Sequence, residues 1–140
     1  TALANRLDFE VTVVDPRAVF TDASRFDVEP HRLLTAWPQE VLPEFAPDEQ
    51  TYAVLLTHDP RIDDPALRTL LASPAAYIGA LGGRKTQRAR RERMEEAGFK
   101  PRDLDRIRGP VGLRIGASGP AEIAISIAAE LVAVRRGTPG

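Results

Sequence analysis

Cysteine is absent from this 140-residue chain, and with it go disulfides, thiolate metal sites and thiol nucleophiles. Histidine is scarce: only His31 and His58 are present, too few for an imidazole-rich metal site without help from carboxylates. No charge of one sign dominates. Nineteen Lys and Arg stand against 20 Asp and Glu, a net charge of −1, so the global balance calls for neither nucleic acid nor an anionic membrane. No apolar run reaches the roughly 20 residues needed to cross a bilayer, and the N-terminal residues show no signal-peptide pattern. The Walker sequence, the GxSxG nucleophile elbow and the GxGxxG dinucleotide loop are all missing, as are internal repeats and low-complexity stretches. One soluble, cytoplasmic domain spanning residues 1–140 is the expectation, because the length suits a single core.

What the chain does contain is alternation. Glu10–Val14, Tyr52–Thr57 and Ala76–Leu81 are short apolar or β-branched runs that stop at Asp15-Pro16, His58-Asp59-Pro60 and Gly82-Gly83. Runs of this kind suit parallel strands covered on both faces. Helical candidates lie between them, Asp64–Ala72 and Arg84–Ala97, the second ending at Gly98. Strands alternating with helices predict an α/β fold. Between Thr21 and Gln50 four prolines permit only short elements: a strand around Phe26–Val28, a helical turn near Pro38–Leu42, and Trp37 as a lid over the sheet. Farther on, Val111–Gly116 reads as a strand flanked by glycines. A helix capped at Ser118-Gly119 comes next, in which only Ser126 and Glu130 are polar between Ile123 and Val134. Such a helix should be buried on most sides.

In open parallel sheets ligands bind beyond the carboxyl ends of the strands, and the polar residues here collect at those ends. Asp15 stands where a dinucleotide fold places a ribose-binding carboxylate; on spacing alone Asp15-Pro16 reads first as a plain turn, since both residues favour one. Thr57-His58-Asp59 offers an imidazole beside a carboxylate for acid–base or metal chemistry. Loop capping accounts for it as well, with Asp59-Pro60 starting a turn and Asp63 or Asp64 capping the next helix. The stretch Arg84–Arg93 places its cations at the start of a helix and Glu92, Glu95 and Glu96 toward its end, an order that opposes the helix dipole. An anion held near Gly82-Gly83 by backbone amides, Arg84 and Lys85 explains that order; a solvated charged face is the alternative. Nucleic acid is disfavoured because no aromatics interleave the cluster.

In the order Phe9–Arg17, Thr57–Asp59, Tyr77–Arg84, Pro110–Gly116 and Pro120–Glu130, these blocks resemble the C-terminal domain of the XdhC/CoxI family, across nearly the whole chain. The resemblance implies a Rossmann-like parallel sheet with helices on both faces. It further implies an accessory or maturation role for molybdenum hydroxylases of the xanthine or carbon monoxide dehydrogenase type. The expected ligand is the molybdenum cofactor or a nucleotide or dinucleotide, with no metal bound directly by the protein. The expected partners are the hydroxylase apoenzyme, a sulfur-donating desulfurase and further copies of the chain. Asp15, Arg17, Thr57, His58, Asp59, Gly79, Gly82, Gly83, Arg84, Lys85, Gly112 and Gly116 are the implied pocket residues; no catalytic residue follows. Relative to the family pattern, residues 1–7 read as the tail of the helix after the glycine-rich loop, so the usual first strand and that loop are not seen here, and Gly83 stands where serine is common. A non-catalytic cofactor-binding chaperone is the first reading. An NAD(P)-binding oxidoreductase-like domain and a ligand-free interaction module are the alternatives.

Overall fold

The computed structural model describes residues 1–138. A five-residue helix α1 (Ala2–Arg6) leads into β1 (Thr12–Val14), which pairs in parallel with β2 (Arg32–Leu34). Two single 3₁₀ turns, Ala18–Phe20 and Ala23–Arg25, occupy the connection. Helix α2 (Pro38–Phe45) comes next, then β3 (Tyr52–Leu55), α3 (Pro60–Leu71), β4 (Tyr77–Ala80), α4 (Arg84–Glu96), the short α5 (Pro101–Leu104), β5 (Ile107–Arg108) and α6 (Gly119–Arg135). The strands form two parallel sheets, β1–β2 and β3–β4–β5, which makes the chain an α/β protein of Rossmann-like design.

Alternation along β4 assigns the faces. Ile78 and Ala80 join a core with Ala66, Leu67, Leu70 and Leu71 of α3, with Met94 of α4 and with Leu104 of α5. Tyr77 points the other way, into a second cluster with Val111 and Leu131, flanked by Phe9, Tyr52, Val54 and Ile127. Helices therefore cover both faces, as a period of two in a doubly covered strand requires.

Several local expectations are corrected. The strand of the proline-rich segment is Arg32–Leu34, not Phe26–Val28. Trp37 is 37% exposed, and its backbone begins α2. Helix α3 starts at Pro60, before the predicted Asp64, because Asp59 is its cap and accepts from the Arg61 amide at 2.9 Å. Proline suits the first helical position, where no amide is needed; Asp63 and Asp64 are inside the helix and buried. Val111–Gly116 is not a strand. The strand there is Ile107–Arg108, and the chain beyond it turns, with Gly112 and Gly116 at positive φ.

Helix α6 departs most from expectation. Its fully buried residues are Ser126, Glu130 and Leu131, whereas Ile125 is 52% exposed. Two of its three buried residues are polar. Glu130 accepts from Tyr77 Oη at 2.5 Å and from the Gly112 amide at 3.2 Å. Ser126 donates to Ile123 O, and its own carbonyl accepts from Leu113 N at 3.1 Å. Gly112, at φ 99°, lies so close to α6 that a Cβ there would collide with Ser126 Oγ. Polar side chains are buried because each finds a partner, and together they pin the post-β5 turn to the helix.

Candidate functional site at the strand ends

The two sheets lie side by side and point the same way. Phe9, just before β1, packs edge-on against Tyr52 at the start of β3, with ring centroids 5.1 Å apart. At the other end Arg17, just beyond β1, feels the charges of Asp59 and Asp63 beyond β3. The carboxyl ends of β1, β3 and β4 thus share one side of the molecule, and most of the predicted pocket residues emerge there.

Asp15 and Arg17 form a closed pair. Both carboxylate oxygens of Asp15 are engaged, Oδ1 by Arg17 N at 2.8 Å and Nε at 2.9 Å, Oδ2 by Nη2 at 2.9 Å. The Arg17 guanidinium hydrogen bonds hold the Asp15 carboxyl below its usual range. The loop after β3 is similarly self-tied. Thr57 Oγ1 donates to Asp63 Oδ1 at 2.7 Å and accepts from the Asp59 amide at 3.1 Å, while Asp59 pairs with Arg61 at 2.8 Å. Burial pushes the Asp63 carboxyl above its usual range. His58, between them, is exposed and sits at φ 60°, a backbone conformation costly for a side chain with a Cβ and concentrated at functional sites.

The turn from β4 into α4 is built by α4 itself. Gln87 Nε2 donates to the carbonyls of Ala80 and Gly82, each at 2.9 Å, and Arg90 Nη2 donates to Leu81 O at 3.2 Å. Three successive carbonyl oxygens are tied back to the helix. Gly82 permits the turn with φ 123°. Gly83 is the N-cap and has no side chain to cap with, and the first intrahelical bond runs from Gln87 N to Gly83 O. The amides of Arg84, Lys85 and Thr86 are therefore the orphan donors of the helix start.

Between α3 and α4 lies a cavity of about 240 Å³ lined by His58, Pro60, Asp63, Asp64, Lys85, Thr86, Ala89, Arg90 and Arg93. Arg93 is committed to Asp64, at 2.6 and 3.2 Å. Arg90 is different. It is 3% exposed, its Nη1 reaches Gln87 Oε1 at 2.9 Å, and its Nε–H has no acceptor among the described residues. Desolvation lowers its pKa below the usual guanidinium value.

Of the predicted pocket residues, the structure brings His58 and Lys85 to this cavity. Thr57 and Asp59 shape the loop that carries His58, Gly82 and Gly83 form the adjoining turn, and Arg84 is exposed one position before Lys85. Asp15 and Arg17 stand beyond β1 on the same side. Gly79 is not at the strand ends: it lies in the middle of β4, where an added Cβ would come within 2.6 Å of Tyr77 Oη and Val111 Cγ2. Gly112 faces Ser126, and Gly116 has open space around its Cα. Among the described residues no three His, Asp or Glu side chains are gathered as metal ligands. Sequence reasoning does not single out Gln87 and Arg90. The signal that finds Arg90 is helical spacing: within the basic stretch it lies four residues before the buried Met94 and shares its face.

Parallel strands with helices on both faces define the class of Rossmann-like α/β domains. Within that class the chain belongs to the family described as the XdhC Rossmann domain, whose model matches residues 1–131. It is 35% identical over 134 residues to a Bacillus subtilis protein named as a probable xanthine dehydrogenase subunit, covering 96% of this chain and 38% of that protein. It is 33% identical over 88 residues to the molybdenum cofactor insertion chaperone PaoD of Escherichia coli, covering 63% of this chain and 28% of the chaperone. The crystal structure of a xanthine dehydrogenase from Bacillus halodurans superposes with a TM-score of 0.81 at 30% identity, over 99% of this chain and 39% of that one. The chain thus spans less than two fifths of the length of each of these relatives. No helix among the described residues is long and apolar enough to cross a membrane.

Proposed function

We propose that this domain is the ligand-holding part of an accessory factor for molybdenum hydroxylases, one that binds the molybdenum cofactor or a related nucleotide and assists its sulfuration and insertion into the apoenzyme. The observation that carries the reading is the family membership together with the likeness to a protein named as a cofactor insertion chaperone. The site chemistry supports it. A pterin cofactor bearing a phosphate is an anion, and the strand ends offer donors rather than acceptors: the amides opening α4, Lys85, and the buried Arg90 with its unpartnered Nε–H. Those residues would hold the cofactor; the cofactor, when bound, supplies the metal centre of the hydroxylase. His58 and Lys85 orient the ligand at the mouth, and the apolar wall of Pro60 and Ala89 limits water.

The dinucleotide alternative gains nothing from Asp15. Both its oxygens are held by Arg17, so a ribose hydroxyl has to compete with a charged, bidentate partner. Reconstitution tests the proposal. Apo-hydroxylase incubated with limiting cofactor should recover more activity with this protein present, and the protein should retain cofactor through gel filtration. Equal recovery with and without it, and no retained cofactor, overturns the reading.

A further inference from the structure

We propose that the cavity between α3 and α4 is a phosphate pocket in which Arg90 Nε, the Lys85 ammonium and the first amides of α4 bind the dianion of a phosphate monoester. Arg90 has no direct ion pair; Asp63 and Asp64 attract it only from a longer range across the same cavity. It is almost fully buried, yet no carboxylate lies within salt-bridge distance of it among the described residues, and its two bonded partners, Gln87 Oε1 and Leu81 O, are neutral. A buried charge held by neutral partners and lacking a direct ion pair is unfavourable. The one guanidinium nitrogen without a partner, Nε, belongs to a residue that lines the cavity.

Three further features converge on the same space. Helix α4 has 13 residues and an N-cap without a side-chain acceptor, so its opening amides and dipole favour an anion. Gln87 and Arg90 draw the carbonyls of Ala80, Leu81 and Gly82 toward the helix, leaving donors as the free groups of the turn. The charge of the lining is positive: Lys85, Arg90 and Arg93 face Asp63 and Asp64, and of those carboxylates Asp64 is bound by Arg93 and Asp63 by Thr57. A cavity of about 240 Å³ admits a phosphate with a small substituent and not a whole dinucleotide, which places the remainder of any larger ligand outside, over His58. The cationic start of α4, unfavourable for an isolated helix, is then the cost of an anion site.

The inference rests on the proposed function only in taking the strand ends as the ligand side. The probe is inorganic phosphate, titrated by calorimetry into the full chain in a buffer free of other oxyanions, with thermal unfolding followed in parallel. Phosphate should bind and raise the unfolding temperature, since a ligand specific to the native state stabilises it. Lys85→Ala and Arg90→Met should each weaken binding by about tenfold or more, the size expected for a lost charged hydrogen bond. Arg88→Ala, on the same helix but outside the cavity lining, should leave it unchanged. If Arg90→Met does not fold, Lys85→Ala decides, and unchanged affinity overturns the pocket. Equal weakening by Arg88→Ala overturns it too, as that is general charge attraction. Phosphate binding without cofactor retention sinks the accessory reading and leaves the pocket; cofactor retention with no phosphate binding does the opposite.

Discussion

Tyr77 and Glu130 meet inside the protein from positions 53 residues apart, hydroxyl to carboxylate, at 2.5 Å. Burial, reinforced by the carboxylate, drives the Tyr77 phenol far above its ordinary pKa, so at any accessible pH it is the donor. Tyr77→Phe leaves the buried Glu130 with the Gly112 amide alone. The expected cost is about 1–3 kcal/mol, that of an under-satisfied buried acceptor, measured by urea unfolding; a change under about 0.5 kcal/mol, ordinary for a surface site, would mean that water replaces the phenol. Asp15 yields a pH test. Its folded pKa lies below the 3.8 of an unperturbed aspartate because of the Arg17 hydrogen bonds, so its contribution to stability is complete above 3.8 and is lost as the pH falls through the lower, folded value. The stability difference between the native chain and Asp15→Asn should therefore be constant at neutral pH and shrink on acidification below 3.8. A difference that grows in acid would show that the Arg17 pair does not set the charge of Asp15.

Helix α6 separates what the sequence could and could not tell at the level of elements. Its ends were legible: proline sits in the first turn and glycine comes just after the last, while Ser118 is the N-cap without a side-chain hydrogen bond, its amide donating instead to Glu122 Oε2 at 2.6 Å. Its orientation was not. A helix so rich in apolar residues has little periodicity to mark an inward face, and Tyr77 and Gly112, distant in sequence, explain why Ser126 and Glu130 point inside. β3 and β4 were visible because doubly covered strands read as continuous apolar runs; β2 and β5 have three and two residues and leave no such run. At the site, glycines and charges announced the β4–α4 turn, but Gln87 and Arg90 hid in a stretch whose composition looks uniformly solvated. The packing of α6 is testable by contrast. Leu131→Ala, at 6% exposure, should cost about 2–5 kcal/mol, whereas Ile127→Ala, only half-buried, should cost about 1–2 kcal/mol because less apolar area is lost. Equal losses in thermal or urea unfolding would mean that the Ile127 face is covered in solution.

At the scale of the whole molecule the sheet is interrupted between β1 and β3. Hydrogen bonds from Asp15 N to Leu34 O and from Arg32 N to Val11 O put Val11, Val13 and Asp15 on the β2 side of β1, so the backbone groups of Thr12 and Val14 point the other way. On β3, Thr51 O accepts from Ala76 N and Leu55 O from Leu81 N, which directs Tyr52, Val54 and Leu56 away from β4. These two unpaired edges belong to neighbouring, co-directional strands, since Phe9 contacts Tyr52 and Arg17 senses Asp59. In the doubly wound order one strand lies between them. The space is bridged instead by side chains: Phe9 on Tyr52, with Arg135 stacked 3.9 Å over Phe9 and donating to Leu7 O. Leu56, at the open end, is 51% exposed. Unpaired edges of this kind seek strands. Hydrogen exchange should therefore find the amides of Thr12, Val14, Tyr52 and Val54 poorly protected beside protected Val13 and Ala53, an alternation that a continuous sheet does not show. Sedimentation at rising concentration should show the average mass climbing as free edges pair. A mass independent of concentration, with all six amides equally protected, would mean that β1 and β3 close the gap between themselves.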